Sequence, residues 1–159
     1  MKRPAPLTFS IVNLLVAVPL YAAAAKEALA LDGKPAVYCS VGKGSERHFD
    51  AEVKAHYGKK FKIVGLNDER GYTRSRATTK VIPQPLYESG QMVQGSVRVV
   101  FIVTDKGRVL EPFVLTSTNA KLNRTVLDII MQWRGTPARL NDVPISVILA
   151  QDFTFAKRR

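Results

Sequence analysis

The clearest pattern along the chain is a pair of strands that alternate apolar and polar positions. Successive side chains of a strand point to opposite faces, and four apolar residues of the stretch Gly95–Thr104 share one face: Val97, Val99, Phe101 and Val103. Asp105-Lys106-Gly107 follows, and a three-residue connection that ends in glycine favours a hairpin with a positive φ at the glycine. A return strand is predicted from Val109 to about Thr116.

A helix is predicted next, over Asn119–Arg134. Thr116-Ser-Thr-Asn119 is typical of a helix start, because these side chains accept hydrogen bonds from the first-turn N–H groups. Gly135 and Pro137 are expected to end the helix. Its apolar residues recur at helical spacing and form one stripe, with the tryptophan expected in the core: Leu122, Val126, Ile129, Ile130 and Trp133.

A third strand is predicted over Val143–Phe155, where apolar and polar residues again alternate. Pro144 indicates an edge strand, because proline has no N–H to give to a central ladder. The helix reverses the chain, so this strand runs opposite to the first one. A wholly antiparallel sheet then has the order 2-1-3, with the helix on one face. The predicted fold class is α+β, with a small antiparallel β-β-α-β sheet.

This order leaves N–H and C=O groups unpaired along the outer side of the third strand. An open edge is either covered or recruits an extended peptide by strand addition. The pattern alone therefore indicates a binding module.

A series of short motifs runs in order between Pro83 and Phe155. They are Pro85-Leu-Tyr87, Gly95-Ser-Val-Arg-Val-Val-Phe101, Thr104-Asp-Lys-Gly-Arg-Val109, Thr116-Ser-Thr118, Gln132-Trp-Arg134 with Pro137, and Val143-Pro-Ile145 with Phe153-Thr-Phe155. In this order and spacing the segment resembles the C-terminal domain of TonB energy transducers.

The resemblance implies a non-enzymatic periplasmic domain that binds an extended segment of an outer-membrane transporter along its last strand. No cofactor is expected. Carried over by position, the expected partner-binding residues are Val143, Ile145, Ser146, Val147, Ile148, Leu149 and Gln151.

The chain also departs from a complete TonB, which has an uncleaved N-terminal helix with a functional histidine and a long proline-rich spacer. Here the only histidines, His48 and His56, lie outside the apolar N-terminal segment, and the nine prolines form no run. A stand-alone interaction domain is therefore favoured, and a membrane-anchored transducer is the alternative.

The first 25 residues have the pattern of a secretory signal. Lys2 and Arg3 precede an apolar stretch, Leu7–Leu20, and small residues at 22–25 supply a cleavage site near Ala25. The apolar stretch is shorter than the roughly 20 residues that a spanning helix needs. We expect an exported, periplasmic protein.

Residues 26–80 form a basic extension before the resembling domain, residues 81–157. A strand near Val37–Val41, a helix from Glu46 to about Tyr57 capped by Ser45, and a strand near Lys60–Leu66 are predicted. This β-α-β unit either adds to the sheet or folds over its edge. Covering the Val143 strand would weaken the peptide-binding hypothesis.

Two features of the extension bear on chemistry. His48, Glu52 and His56 are spaced to share one face of a helix, which is a pattern for zinc. No fourth ligand accompanies them, so no metal is expected, and a metal-dependent enzyme that uses these three residues is the third hypothesis. Cys39 is the only cysteine, and in an exported protein we expect it to be buried and unreactive.

The charge is strongly positive, with 24 Lys and Arg against 13 Asp and Glu, a net +11. Behind a secretory signal the available polyanions are lipid headgroups and wall polymer, not nucleic acid. The second hypothesis is therefore an envelope-associated structural protein that binds these through its basic surface, with its sheet edge covered or used in a homodimer. No catalytic motif is present to indicate an enzyme.

Overall fold

The computed structural model describes residues 33–39, 46–66 and 70–157, and within 46–50 it describes the main chain alone. The predicted signal, residues 1–25, lies outside these ranges, as does the predicted cap Ser45. Within the described ranges, no helix combines the length and the apolar character that crossing a membrane requires.

Short strands dominate the structure. In chain order they are β1 (Ala36–Cys39), β2 (Lys62–Gly65), β3 (Tyr72–Thr73), β4 (Arg76–Thr79), β5 (Tyr87–Glu88), β6 (Gln91–Met92), β7 (Gly95–Val103), β8 (Val109–Ser117), β9 (Arg134–Thr136), β10 (Ala138–Leu140), β11 (Val143–Ile145) and β12 (Val147–Phe155). The helical elements are α1 (Glu46–Tyr57), a 3₁₀ turn (Ala120–Leu122) and α2 (Asn123–Ile130).

A five-stranded sheet forms the centre, in the order β2-β1-β12-β7-β8. β7 and β8 pair antiparallel, and β12 pairs antiparallel with β7 from Val147 opposite Val103 to Phe155 opposite Gly95. Taken alone, β8, β7 and β12 have the predicted 2-1-3 order. The predicted α+β class is confirmed.

The β7–β8 hairpin turns as its sequence predicts. Gly107 has a φ of 72°, and its N–H donates to the C=O of Thr104 at 2.9 Å. The C=O of Gly107 in turn accepts from the N–H of Gly135 at 2.9 Å. This second bond ties the hairpin turn to β9, and a Cβ at Gly107 would overlap the carbonyl of Gly135.

The α-helix is shorter than predicted at both ends, because a 3₁₀ turn occupies Ala120–Leu122 and α2 begins only at Asn123. The side chain of Asn119 accepts from the N–H of Lys121 at 3.2 Å, which confirms the predicted capping. α2 ends at Ile130, short of the predicted Arg134. The reason is that residues 134–136 pair as β9 with β4, so extended main-chain partners replace the last helical turn.

The predicted strand Val143–Phe155 is divided into β11 and β12 at Ser146. Asn141 and Asp142 both have positive φ, 48° and 65°, and form a two-residue turn that pairs β10 with β11. Pro144 does lie in an edge strand, but that strand borders a separate three-stranded sheet, β11-β10-β3. Pro144 therefore says nothing about the edge of β12.

β1, α1 and β2 form the β-α-β unit, and it extends the central sheet. β1 pairs parallel with β2 along its whole length. On its other side β1 pairs parallel with the start of β12, Tyr38 opposite Val147 and Cys39 opposite Ile148. Of the two predicted arrangements, addition to the sheet is the one observed.

Each face of the central sheet is covered. α1 packs on one face, where Val53 and Tyr57 join a buried cluster completed by Val37, Cys39, Val100, Ile102 and Ile148. Cys39 is buried there, as predicted, with 4% exposed. On the opposite face α2 and Trp133 pack on Val97, Val99, Phe101 and Phe155. Trp133 is buried, as predicted.

Candidate functional site

The predicted partner-binding residues fall into three groups. The first consists of Val143 and Ile145 in β11, which face Leu140 and Ala138 of β10. These two residues thus belong to the three-stranded sheet and not to the central one.

The second group lies beside β1. The N–H of Tyr38 donates to the C=O of Ser146 at 2.9 Å, and Val147 and Ile148 pair with β1 on one side and β7 on the other. Strands on both sides leave no room for a further strand at these positions.

The third group is Leu149 and Gln151, which lie opposite Phe101 and Val99 of β7. From Leu149 to Phe155, no strand within residues 33–39, 46–66 and 70–157 pairs with the other side of β12. The open part of the edge is therefore the later half of the strand.

The bond from Tyr38 to Ser146 also shows which main-chain groups point outward. Along a strand, the N–H and C=O groups of successive residues alternate between its two sides. Because the C=O of Ser146 points toward β1, the even-numbered positions face that side. Ala150, Asp152 and Thr154 therefore direct their N–H and C=O groups to the open edge, while the odd-numbered residues bond to β7.

A groove follows this open edge. One cavity of about 200 Å³ is bordered by Leu149, Ala150 and Gln151 of β12 and by Ser75, Ala77 and Lys80. A second cavity of about 320 Å³ is bordered by residues 152–156 and by Ile82, Pro83 and Pro85. We call the two together the edge groove, with residues 149–156 and 75–85 as its borders. Ile82 is 75% exposed in it.

Trp133 lines the first cavity and is fixed by its neighbours. Its indole N–H donates to the C=O of Val81 at 2.9 Å, and its ring centroid lies 6.4 Å from that of Phe101 and 5.8 Å from that of Phe153. The Lys80 ammonium lies 5.0 Å from the centroid of the same ring. Apolar walls and the Lys80 ammonium thus meet in this cavity.

The charge carried by β12 itself is already balanced. The Asp152 carboxylate lies 2.9 Å from the Arg98 guanidinium on the neighbouring β7. Both side chains are about half exposed, and exposed pairs contribute little to stability. Lys80, in contrast, has no acidic partner among the described side chains.

A wider basic surface surrounds the groove. β4 carries Arg76, β9 carries Arg134, β10 carries Arg139, and Arg108 bridges to Arg134 next to the hairpin turn. All four are exposed. In the part of the chain that the structure describes, none of them forms an ion pair.

In the structure, the neighbours of His56 in α1 are aromatic rings. His56 stacks on Phe113 of β8, with ring centroids 4.1 Å apart, and also contacts Tyr57 edge to face at 4.9 Å. Glu52 is exposed. Among the described side chains, no three metal-ligating groups cluster. The side chain of His48 lies outside the described residues.

The partner-binding residues named from the sequence do not include Ala150, Asp152, Thr154 or Lys80, although the first three lie within the predicted strand Val143–Phe155. Alternation along β12 separates its two faces but does not tell which main-chain groups point to which neighbouring strand. That information comes from the position of β1. Lys80 lies in a polar stretch, residues 72–80, whose closeness to Trp133 depends on the pairing of β4 with β9.

Fold and site together define a class of small α+β domains in which the last strand lies beside the first strand of the hairpin and keeps part of its edge open. Residues 85–156 match the family model described as Gram-negative bacterial TonB protein C-terminal. This segment of the chain belongs to that family, and the resemblance found in the sequence is confirmed. The family comprises non-enzymatic periplasmic domains that interact with envelope proteins such as outer-membrane transporters.

Among solved structures, the solution NMR structure of the Pseudomonas aeruginosa TonB C-terminal domain is similar. It is 26% identical, covers 59% of this chain and 95% of that one, and superposes with a TM-score of 0.39. None of the curated proteins matches the chain. The segment that matches the family model, residues 85–156, includes β5 through β12, so β1, α1 and β2 lie outside it.

Proposed function

We propose that the protein is a periplasmic interaction module that binds an extended peptide segment of an envelope or outer-membrane transport protein by strand addition. The added strand pairs with the outward N–H and C=O groups of Ala150, Asp152 and Thr154. Of the residues expected from the sequence, Leu149 and Gln151 flank these positions, while β1 occupies the edge at Val147 and Ile148.

The observation that supports this proposal most directly is the open edge of β12 beside the edge groove. Unpaired main-chain groups along a strand are a template for another strand. The opposite border of the sheet is less suited to the same use. β8 carries Pro112, which lacks an N–H, and its register with β7 is irregular between Val100 and Ile102. Bulges and prolines are features that discourage pairing at an edge.

Residue-resolved amide exchange tests the proposal. In the free protein we expect fast exchange at Ala150, Asp152 and Thr154, and slow exchange at the odd-numbered residues that bond to β7. Synthetic peptides taken from extended segments of outer-membrane transporters should slow exchange at the three even-numbered positions alone. Unchanged exchange with every peptide would refute strand addition. Slow exchange in the free protein would mean that another segment or a second copy already covers the edge.

A pair of variants at one position separates main-chain from side-chain effects. Asp152→Pro removes an outward N–H at an edge where proline is tolerated, whereas Asp152→Asn keeps it. Both disrupt the exposed ion pair with Arg98. We expect peptide affinity to fall about tenfold in the proline variant, as for the loss of one main-chain hydrogen bond, and to stay within about twofold in the asparagine variant.

The basic surface supports a second candidate function, which is adhesion to anionic wall polymer or lipid. Arg76 and Arg108 are exposed and belong to neighbouring parts of this surface. Binding to vesicles that contain anionic lipid should then disappear at high salt, because screening acts strongly on exposed charges. Arg76→Gln combined with Arg108→Gln should weaken it, while leaving peptide protection at β12 unchanged.

The compartment of the protein depends on whether its N-terminal segment is cleaved. We propose that residues 1–25 are a secretory signal cleaved near Ala25, so that the protein is released into the periplasm. Mass determination of the protein recovered from the periplasmic fraction tests this directly. Recovery of the uncleaved chain in the membrane fraction would instead favour the membrane-anchored transducer.

A further inference from the structure

We propose that the cavity beside Trp133 holds one large apolar side chain of the bound peptide, and that Lys80 favours a peptide with an acidic residue two positions away, on the same face of the added strand. This inference rests on strand addition at β12. It assigns a side-chain preference, whereas the open edge alone recognises only main chain.

The cavity is placed to receive a side chain from an added strand. It is bordered by Leu149, Ala150 and Gln151, which include the first outward-facing main-chain position of the open edge. A strand paired at Ala150 directs alternate side chains to the face on which Trp133 lies, because side chains alternate across a strand. The first such side chain therefore points toward the cavity.

Size and lining indicate what the cavity accepts. Its volume is about 200 Å³, and an apolar cavity of about 150 Å³ is large enough for benzene. Phe101, Val103, Val109 and Trp133 are buried residues that form apolar wall. A leucine, isoleucine or phenylalanine side chain fits these dimensions, whereas alanine leaves most of the space unfilled.

Charge complementarity predicts the next peptide residue on the same face of the added strand, two positions from the residue in the cavity. Lys80 places its ammonium 5.0 Å from the Trp133 ring centroid at this cavity, and no carboxylate of the described residues pairs with it. Arg134 also lines the cavity, but its guanidinium donates to the C=O groups of Met131 and Trp133. Lys80 is thus the cation available to an incoming aspartate or glutamate.

A set of four blocked peptides tests the preference. Each alternates threonine and valine, with leucine or alanine at the central position and aspartate or asparagine two positions away, so that both variable side chains share one face. Trp133 is the only tryptophan of the chain, so its fluorescence reports filling of the cavity. We expect the leucine peptides to bind about tenfold to a hundredfold tighter than the alanine peptides. Aspartate should add about twofold to fivefold at low salt and lose this advantage at high salt.

Three variants test which residues produce the preferences for aspartate and for leucine. Lys80→Gln should remove the preference for aspartate, while Lys54→Gln, an exposed lysine of α1 on the opposite face, should keep it. Ala77→Phe, which fills the cavity from β4, should bring the leucine-to-alanine ratio close to one without changing amide protection at Ala150.

A small probe tests the cavity without strand addition. We expect 3-phenylpropionate to shift the Trp133 indole resonance at millimolar concentration, 3-phenylpropanol to do so less, and Lys80→Gln to remove the difference. Peptides that protect β12 without any leucine or aspartate preference would overturn this inference and leave strand addition intact. Binding of the small acid alone, with no amide protection by any peptide, would overturn strand addition and with it the role of the cavity in peptide recognition.

Discussion

Tyr57, the last residue of α1, donates its phenolic hydrogen to the main-chain carbonyl of Glu111 in β8, 2.7 Å away. The side chain is fully buried, and Glu111 has a positive φ of 46° within the irregular part of the β7–β8 pairing. The N-terminal extension is thus joined to the far border of the sheet as well as to β12.

Tyr57→Phe should destabilise the fold by about 1–2 kcal/mol, because the half-buried carbonyl of Glu111 loses its donor while the apolar ring stays. Urea denaturation measures the loss. Tyr87→Phe is the matched control, since Tyr87 is 63% exposed, and a change below about 0.5 kcal/mol is expected there. Equal effects of the two substitutions would contradict the importance of the buried bond.

The same hydroxyl predicts a loss of stability at alkaline pH. Burial, and secondarily the Glu111 carboxylate, raise the pKa of Tyr57 well above its usual range. In the unfolded chain a tyrosine loses its proton at about pH 10, while Tyr57 in the folded protein keeps it. The stabilisation is therefore complete below pH 10 and falls as the pH rises beyond that. Urea midpoints between neutral and strongly alkaline pH should fall less steeply in Tyr57→Phe than in the wild type or in Tyr87→Phe.

Two glycines with similar backbone angles separate strain from steric overlap. Gly90 has a φ of 78°, and a Cβ added there would meet open space. We therefore expect Gly90→Ala to lower the free energy of unfolding by about 1 kcal/mol, from the left-handed backbone alone. Gly107→Ala adds overlap with the carbonyl of Gly135, and the cost should reach about 3 kcal/mol or more. Thermal or urea unfolding of the two variants measures the difference. Equal losses would show that the hairpin and β9 separate easily.

Cys39 reports on the pairing between β1 and β12. Its side chain is 4% exposed, so a thiol reagent should label it only when β1 opens. We expect native labelling to be at least about a hundredfold slower than in urea. Fast native labelling would mean that β1 detaches readily and that the edge at Val147 and Ile148 also becomes available to a partner.

Much of the central fold could be predicted from local patterns. The β7–β8 hairpin, the cap at Asn119 and the core position of Trp133 each follow from a few neighbouring residues. The division of Val143–Phe155 was missed, although Asn141-Asp142 carries a recognisable signal, since both residue types tolerate the positive φ of a two-residue turn.

The site was less predictable because it depends on pairings between distant parts of the chain. Cover of Val147 and Ile148 comes from β1. The approach of Lys80 to Trp133 comes from the pairing of β4 with β9. Neither contact produces a periodic pattern in the sequence, so the open half of β12 could not be distinguished from the covered half.

The parallel pairing of β1 with β12 has a consequence for how the molecule assembles. These strands lie near opposite ends of the described chain, so β1 can pair with β12 only after the whole intervening segment has been synthesised. Contacts this distant in sequence form late and slowly. As the chain emerges from its N-terminus, α1 and β2 precede the sheet that they join, and a chaperone or an early partner would meet β12 with its full length still accessible.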